Sequence, residues 1–304
     1  MAEMFLFSEY RTLFTPLGIR FWDSVLDTQV SDNLEVTAVP LIGDSLPTRA
    51  FRTPSGVYAF QGLPQLSDVE SFNSDGIPPV HESEKITYII QVNDLLNRFL
   101  PVVFSVRLPL SYNGVYLSQF SPLQASTPSI SPASGFYLFS SPMRSIPPGM
   151  AVVRATIVDQ NSGQPASFAL MEVQIADTPF TAYGVTQKNG SIAVIFPYPS
   201  VNFPVSTSPQ TYSGVMLEQQ QWELKIRVKY QPSVLNYPKK STIPDFKSII
   251  DQSFGTLCTQ WSEIPAERIY ETQSSDVLNY GCECIVKTQN AGKSELRITA
   301  ETTP

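Results

Sequence analysis

Residues 151–199 constrain the fold more than any other stretch, because they read as a complete β-meander with its turns marked. Val152, Arg154, Thr156 and Val158 alternate as one strand does, and Asp159 to Gly163 supply a turn. Leu170 to Ile175 form a second strand and Ile192 to Phe196 a third. Between them stands Asn189-Gly190, the pair that favours a type I′ hairpin because both central residues need positive φ. The stretch predicts a small β-sandwich unit and displays no reaction chemistry.

A similar pattern occurs earlier. Asp23, Val30, Leu34-Glu-Val36, Thr53, Gly56, Ala59 and Pro64 are matched by Asp159, Ala166, Met171-Glu-Val173, Thr186, Gly190, Ala193 and Pro197. The interval from Asp to Gly is 33 residues in the first set (23 to 56) and 31 in the second (159 to 190). Two readings fit: a degenerate repeat of a β-sandwich half, or two ordinary meanders that share turn residues.

Composition points the same way. With 26 prolines, 18 phenylalanines and 13 tyrosines in 304 residues, the chain suits short strands joined by stiff turns rather than a helical bundle. The expected fold class is mainly β: tandem Ig-like or transthyretin-like β-sandwich units with one short C-terminal helix. The expected division is an N-terminal β unit over 1–84, a central sandwich with long uncharged loops over 85–235, and a helix plus β-hairpin over 236–304. Trp222, Leu224, Ile226, Val228 and Tyr230 alternate with charged residues and predict an outer strand with one wet face. The helix is expected within 241–259, capped by Ser241 and Thr242, with Phe246, Ile249, Ile250, Phe254 and Leu257 on one face.

Charge sets limits on function. Only 15% of residues are charged, against about 25% in typical soluble domains, and low charge is a mark of lasting interfaces. A net charge of −7 argues against a nucleic-acid partner, which would need a basic patch. No charged residue occurs from Leu108 to Met143 or from Ser191 to Leu217. Each run is either an exposed linker or a segment laid against a partner. On the second reading Tyr116, Phe120, Phe136, Tyr137, Phe203 and Tyr212 are the partner-binding candidates. The acidic N-terminus without an apolar core predicts cytoplasmic synthesis with no signal peptide, and no apolar run is long enough to expect membrane insertion.

Catalytic signatures are missing from the sequence. There is no phosphate-binding Gly-Lys-Ser/Thr loop, no Gly-x-Ser-x-Gly elbow and no His-Glu-x-x-His pair. The single histidine, His81, lies in the acidic stretch 65–84 and cannot build a histidine-rich metal site. Cys282 and Cys284 are expected on one face of a strand, but two thiols do not complete a tetrahedral metal site. The expectation is therefore a non-enzyme with no catalytic residues, no cofactor and no metal.

Several runs resemble a family of proteins encoded with the phage-tail-like contractile injection systems of bacteria. They are Pro16-Leu-Gly-Ile-Arg-Phe-Trp-Asp23, Asn33-Leu-Glu-Val-Thr-Ala38, Arg52 to Pro64, Tyr137 to Arg144, Pro147 to Ala155, Gly190 to Pro199, and the tail pattern Leu278 to Gly281 with Ser294 to Ile298. The likeness covers most of the chain, and its middle also looks like the carboxypeptidase-regulatory or transthyretin-like β-sandwich. Ser31-Asp-Asn33 departs from the pattern, since glycine would fit that turn best. The resemblance implies a structural subunit, baseplate-peripheral or adaptor, whose partners are baseplate, tube or sheath components and whose particle is released or membrane-attached. The alternative class is a glycan- or receptor-binding adhesin module, which would need clustered exposed tryptophan or tyrosine.

Overall fold

The computed structural model describes residues 15–67, 85–110, 115–116, 123–124, 135–199, 219–239 and 241–300. It is mainly β, as the sequence predicts, and the strands form two sandwiches of the same topology. In the first, one sheet runs in the order Thr48–Arg49, Leu34–Pro40, Ile86–Asp94, Val102–Leu108. In the second, the matching sheet runs Thr181–Val185, Leu170–Ile175, Gln221–Lys229, Ser274–Asn279.

The facing sheets match as well. Gly18–Ile19 and Phe21–Asp23 are one strand interrupted at Arg20. It lies antiparallel to Tyr58–Ala59 and Thr28–Val30, and parallel to Val115–Tyr116 and Phe136–Leu138. The second copy replaces it with Met150–Asp159, antiparallel to Ser191–Pro197 and parallel to Cys284–Ile285 and Leu296–Thr299. The repeat suspected from sequence thus extends to the whole sandwich, not half of one.

Turn chemistry explains why the copies share a spacing. Thr53 N–H donates to Val57 O and Gly56 N–H to Thr53 O; Gln187 N–H donates to Ser191 O and Gly190 N–H to Gln187 O. Gly56 and Gly190 have φ of 76° and 79°, whereas Asn189 does not adopt positive φ. The second hairpin is therefore a type I turn closed by a left-handed glycine, and the type I′ expectation is corrected: a longer loop needs only one residue with positive φ. The Asp-led turns also agree, with Asp27 at φ 50° and Gly163 at φ 68°, each four residues past its aspartate. Asn33 does adopt the left-handed conformation that called for glycine, at φ 55°.

The sequence-based boundaries move. Leu34–Pro40 pairs with Ile86–Asp94 over seven positions, so no division falls at 84/85. The first core gathers residues from Leu17 to Phe139 together with Leu170, Val185, Phe246 and Ile249, and the second gathers residues from Ala151 to Ile298. Cutting at 235 also fails, because the strands after it complete the second sandwich.

The C-terminal helix is shorter than its apolar pattern suggests. It spans Phe246–Ile250 and is capped by Asp245, whose carboxylate accepts from Lys247 N–H at 3.0 Å, rather than by Ser241 or Thr242. Phe254 and Leu257 leave it; Leu257 belongs to the strand Thr256–Gln260. Gly255 explains the break: a Cβ there would lie 2.8 Å from Thr299 O, so the chain passes too close to a strand to carry a side chain or another helical turn. The strand Gln221–Lys229 is not outermost either, since Ser274–Asn279 covers its far side. Its alternation does hold, with Leu224, Ile226 and Val228 fully buried.

Glycine replacement should grade the turns. Gly163→Ala meets open space and costs only the left-handed conformation, about 1–2 kcal/mol. Gly190→Ala adds a Cβ 2.4 Å from Ile157 O and is expected to cost clearly more in urea unfolding. Equal costs would contradict the close backbone approach.

Candidate functional site

The two sandwiches meet at a junction built from three unlike contacts. The first is ionic. Arg144, in the segment that links the copies, donates from Nη1 to Asp23 Oδ1 at 2.9 Å and from Nη2 to Asp23 Oδ2 at 2.5 Å. Both side chains are only 6% exposed, so the pair stands in a medium where it must be fully hydrogen-bonded to be tolerated. That condition is met: Asp23 Oδ1 also accepts from Val25 N–H at 2.8 Å, and Arg144 Nη1 also donates to Ser140 Oγ at 3.1 Å. The guanidinium lies 5.0 Å from the Phe99 ring centroid, a cation–π contact that shields it further.

The second contact is apolar. Val25 of the first copy packs with Val152, Ala193 and Ile195 of the second, flanked by Ile146 of the link and by Met150, which begins the second copy's strand. The third is an excursion of the second copy between its strands Gln221–Lys229 and Thr256–Gln260, whose helix enters the first copy's core. Phe246 and Ile249 are buried there, with Phe246 4.9 Å from Phe136 and 5.8 Å from Phe139 between ring centroids. Ser105 Oγ of the first copy donates to Asp245 Oδ2 at 2.5 Å. On the other flank, Gln252 Nε2 donates to Phe168 O at 2.8 Å, and Gln252 Oε1 accepts from Gln231 N–H at 2.9 Å.

These contacts leave a cavity of about 390 Å³ between them. Leu100, Val102, Tyr137 and Phe139 supply the first copy's wall, Phe168 and Val185 the second's, and Ile243, Phe246 and Ile249 the excursion's. Its rim is polar: Gln187, Lys188 and Asn189 from the repeat turn, and Thr242. Phe168 adopts φ 59°, a conformation that a bulky residue takes only when its surroundings enforce it.

The sequence-chosen partner residues scatter. Tyr137 lines the cavity, yet it is only 7% exposed, and Phe136 is 1% exposed within the first core, stacked on Phe104 with centroids 4.4 Å apart. Neither presents an open surface, because the parallel strand they sit on packs into the first sandwich. The backbone of Tyr116 pairs with Ile19. Phe120, Phe203 and Tyr212 lie outside the described residues, as does His81. Leu123–Gln124, within the first uncharged run, pairs with Thr181–Ala182 at the edge of the second copy's sheet, so that run reaches across the junction.

Phe139, Phe168 and Phe246 were not singled out as site residues, since aromatic residues in strands and helices read as core. Gly255 is the residue in the segment 241–259 whose type could have signalled that it does not pack as one helix.

Cys282 and Cys284 do not share a face. Cys282 is exposed in a turn, its N–H donating to Asn279 O, while Cys284 is buried in the second core. Burial, with Asp276 nearby, pushes the Cys284 thiol up to about 12. Among the described residues no group of three or more His, Cys, Asp or Glu could hold a metal ion, and no helix is long and apolar enough to cross a membrane. The three tryptophans stay apart. Trp222 does meet Tyr198, with ring centroids 5.5 Å apart, and Tyr198 meets Tyr280 at 4.7 Å. This half-buried group closes one end of the second core.

No protein-family model matches the chain, and no curated protein does. Among solved structures, the Bacillus anthracis TIE protein is similar at 8% identity and a TM-score of 0.23, covering 87% of this chain. The chain spans 44% of that protein's length. At such a score the likeness bears on neither fold nor function.

Removing one partner of the buried pair, by Arg144→Met or Asp23→Asn, should lower unfolding free energy by about 3–5 kcal/mol. Changing both, Asp23→Leu with Arg144→Met, should cost less than the sum of its two single variants, read from urea midpoints.

Alkaline pH supplies a second test. Tyr230 is raised to about 12 by burial first and by the Asp159 carboxylate second. A raised phenol favours the folded state below its ordinary value near 10, and that contribution is lost as pH rises toward 12. Stability should fall across this window, and Tyr230→Phe should flatten the slope by up to about 1.4 kcal/mol per pH unit. An unchanged slope would place that loss elsewhere.

Proposed function

We propose that this chain is a non-enzymatic structural subunit of a phage-tail-like contractile injection particle, a baseplate-peripheral or adaptor piece. The observation that carries this reading is the junction. Two copies of one sandwich are tied by an apolar cluster and by a helix of one that enters the core of the other, and a buried ion pair fixes the link between them to the first copy. A chain held in this way can transmit position between neighbours without moving parts, which is what a spacer in a mechanical assembly needs.

The runs Leu108 to Met143 and Ser191 to Leu217 supply the docking material: uncharged, rich in proline, serine and aromatic residues, and cheap to desolvate against baseplate, tube or sheath components. The family resemblance of the sequence motifs gives the kind of particle. On this reading the protein is made in the cytoplasm and incorporated there.

Removing residues 126–133, which spares the paired segments at 123–124 and 136–138, should leave the unfolding midpoint unchanged and weaken incorporation into particles. Affinity capture from native cells, viewed by negative-stain electron microscopy, should show sheathed tubes bearing the protein. A clean monomer without tubes would sink the particle assignment and turn attention to receptor binding at the Tyr198, Trp222 and Tyr280 group.

A further inference from the structure

We propose that the junction cavity is a binding site for a small amphiphile: an apolar body ending in an anionic group. This inference is independent of the assembly role. Three observations carry it. First, the space is concave and walled by both copies and the excursion, and its volume of about 390 Å³ falls in the range of ligand pockets, which form preferentially between domains. A flat protein partner would not fill it.

Second, its depth is largely apolar. Leu100, Val102, Val185 and Phe246 present hydrocarbon, and of the two buried hydroxyl-bearing lining residues, Tyr137 and Thr186, the Thr186 Oγ1 is already engaged, donating to Ala166 O at 2.6 Å and accepting from Ala169 N–H at 2.8 Å. A ligand body is therefore mainly apolar. Phe168 at φ 59° shows that a wall residue is held in an unfavourable backbone conformation.

Third, the described residues of the rim include a single cation. Lys188 is exposed and forms no ion pair with a described carboxylate, and its carbonyl accepts from Ser167 Oγ at 2.6 Å, which steadies the turn that bears it. Among the described residues, no acidic residue lines the cavity to compete for that ammonium. The corresponding turn of the first copy, Thr53-Pro-Ser-Gly56, has no cation, so the charge is particular to the copy whose turn lines the cavity. Charge complementarity then selects an anion for the end of the ligand nearest the rim.

Titration calorimetry of the full chain with dodecanoate, kept below its micelle-forming concentration, tests the proposal. Saturable binding of one molecule per chain is expected. Lys188→Glu should weaken dodecanoate at least ten-fold and leave dodecanol unchanged, and Ile243→Trp, which fills the mouth, should abolish both. If Ile243→Trp lowers the urea midpoint, Thr242→Trp at an exposed part of the same rim takes its place. Dodecyl phosphate run in parallel separates a phosphate end group from a carboxylate. Absence of saturable binding, or binding untouched by the filling variant, would overturn the site; loss on filling without loss on charge reversal would overturn the anionic end.

Discussion

The architecture depends on the pairing of Asp23 with Arg144. An unpaired charge at either position would be untenable in a site only 6% exposed, so the pair forms together or the copies do not seat. Its partners come from opposite ends of the first sandwich: Asp23 ends the strand that begins it, and Arg144 follows the strand that closes it. Joining them fixes where the link leaves the first copy. That exit brings Val152 and Ile195 against Val25, and places the second copy so that its excursion meets Phe136 and Phe139.

The two copies share a topology and differ most where the junction forms. Asp159, the counterpart of Asp23, keeps the local turn role: it accepts from Asn161 N–H and Ser162 Oγ at the surface. Asp23 keeps the same kind of local bond, to Val25 N–H, and adds the arginine. The strand following Gln221–Lys229 diverged further. Where the first copy turns at once from Asp94 to Val102, the second inserts the excursion that enters its neighbour. Each copy contributes part of the other's surroundings, and the cavity is what remains where those contributions fail to fill space.

The repeat, the fold class and most strands were legible because they rest on local rules. Period-two alternation holds Leu224, Ile226 and Val228 inside whatever lies beside them, and left-handed positions at Gly56, Gly163 and Gly190 draw glycine in any context. The helix is shorter than its pattern because Phe246, Ile249 and Leu257 satisfy a helical period while being buried in two different cores. An apolar pattern records that a residue is covered, not by what. Phe136 and Tyr137 were read as docking residues for the same reason.

What the sequence determined by itself is a chain of short strands with fixed turns at a recurring spacing, low in charge and without catalytic groups in a recognised pattern. The tertiary structure alone decided that the copies interlock, that Asp23 and Arg144 meet across 121 positions of sequence, and that Lys188 stands at the mouth of an apolar cavity. The physical reason is range. Backbone conformation and side-chain alternation are settled among near neighbours, whereas a buried ion pair or a cavity wall exists only once distant segments have excluded water from the space between them.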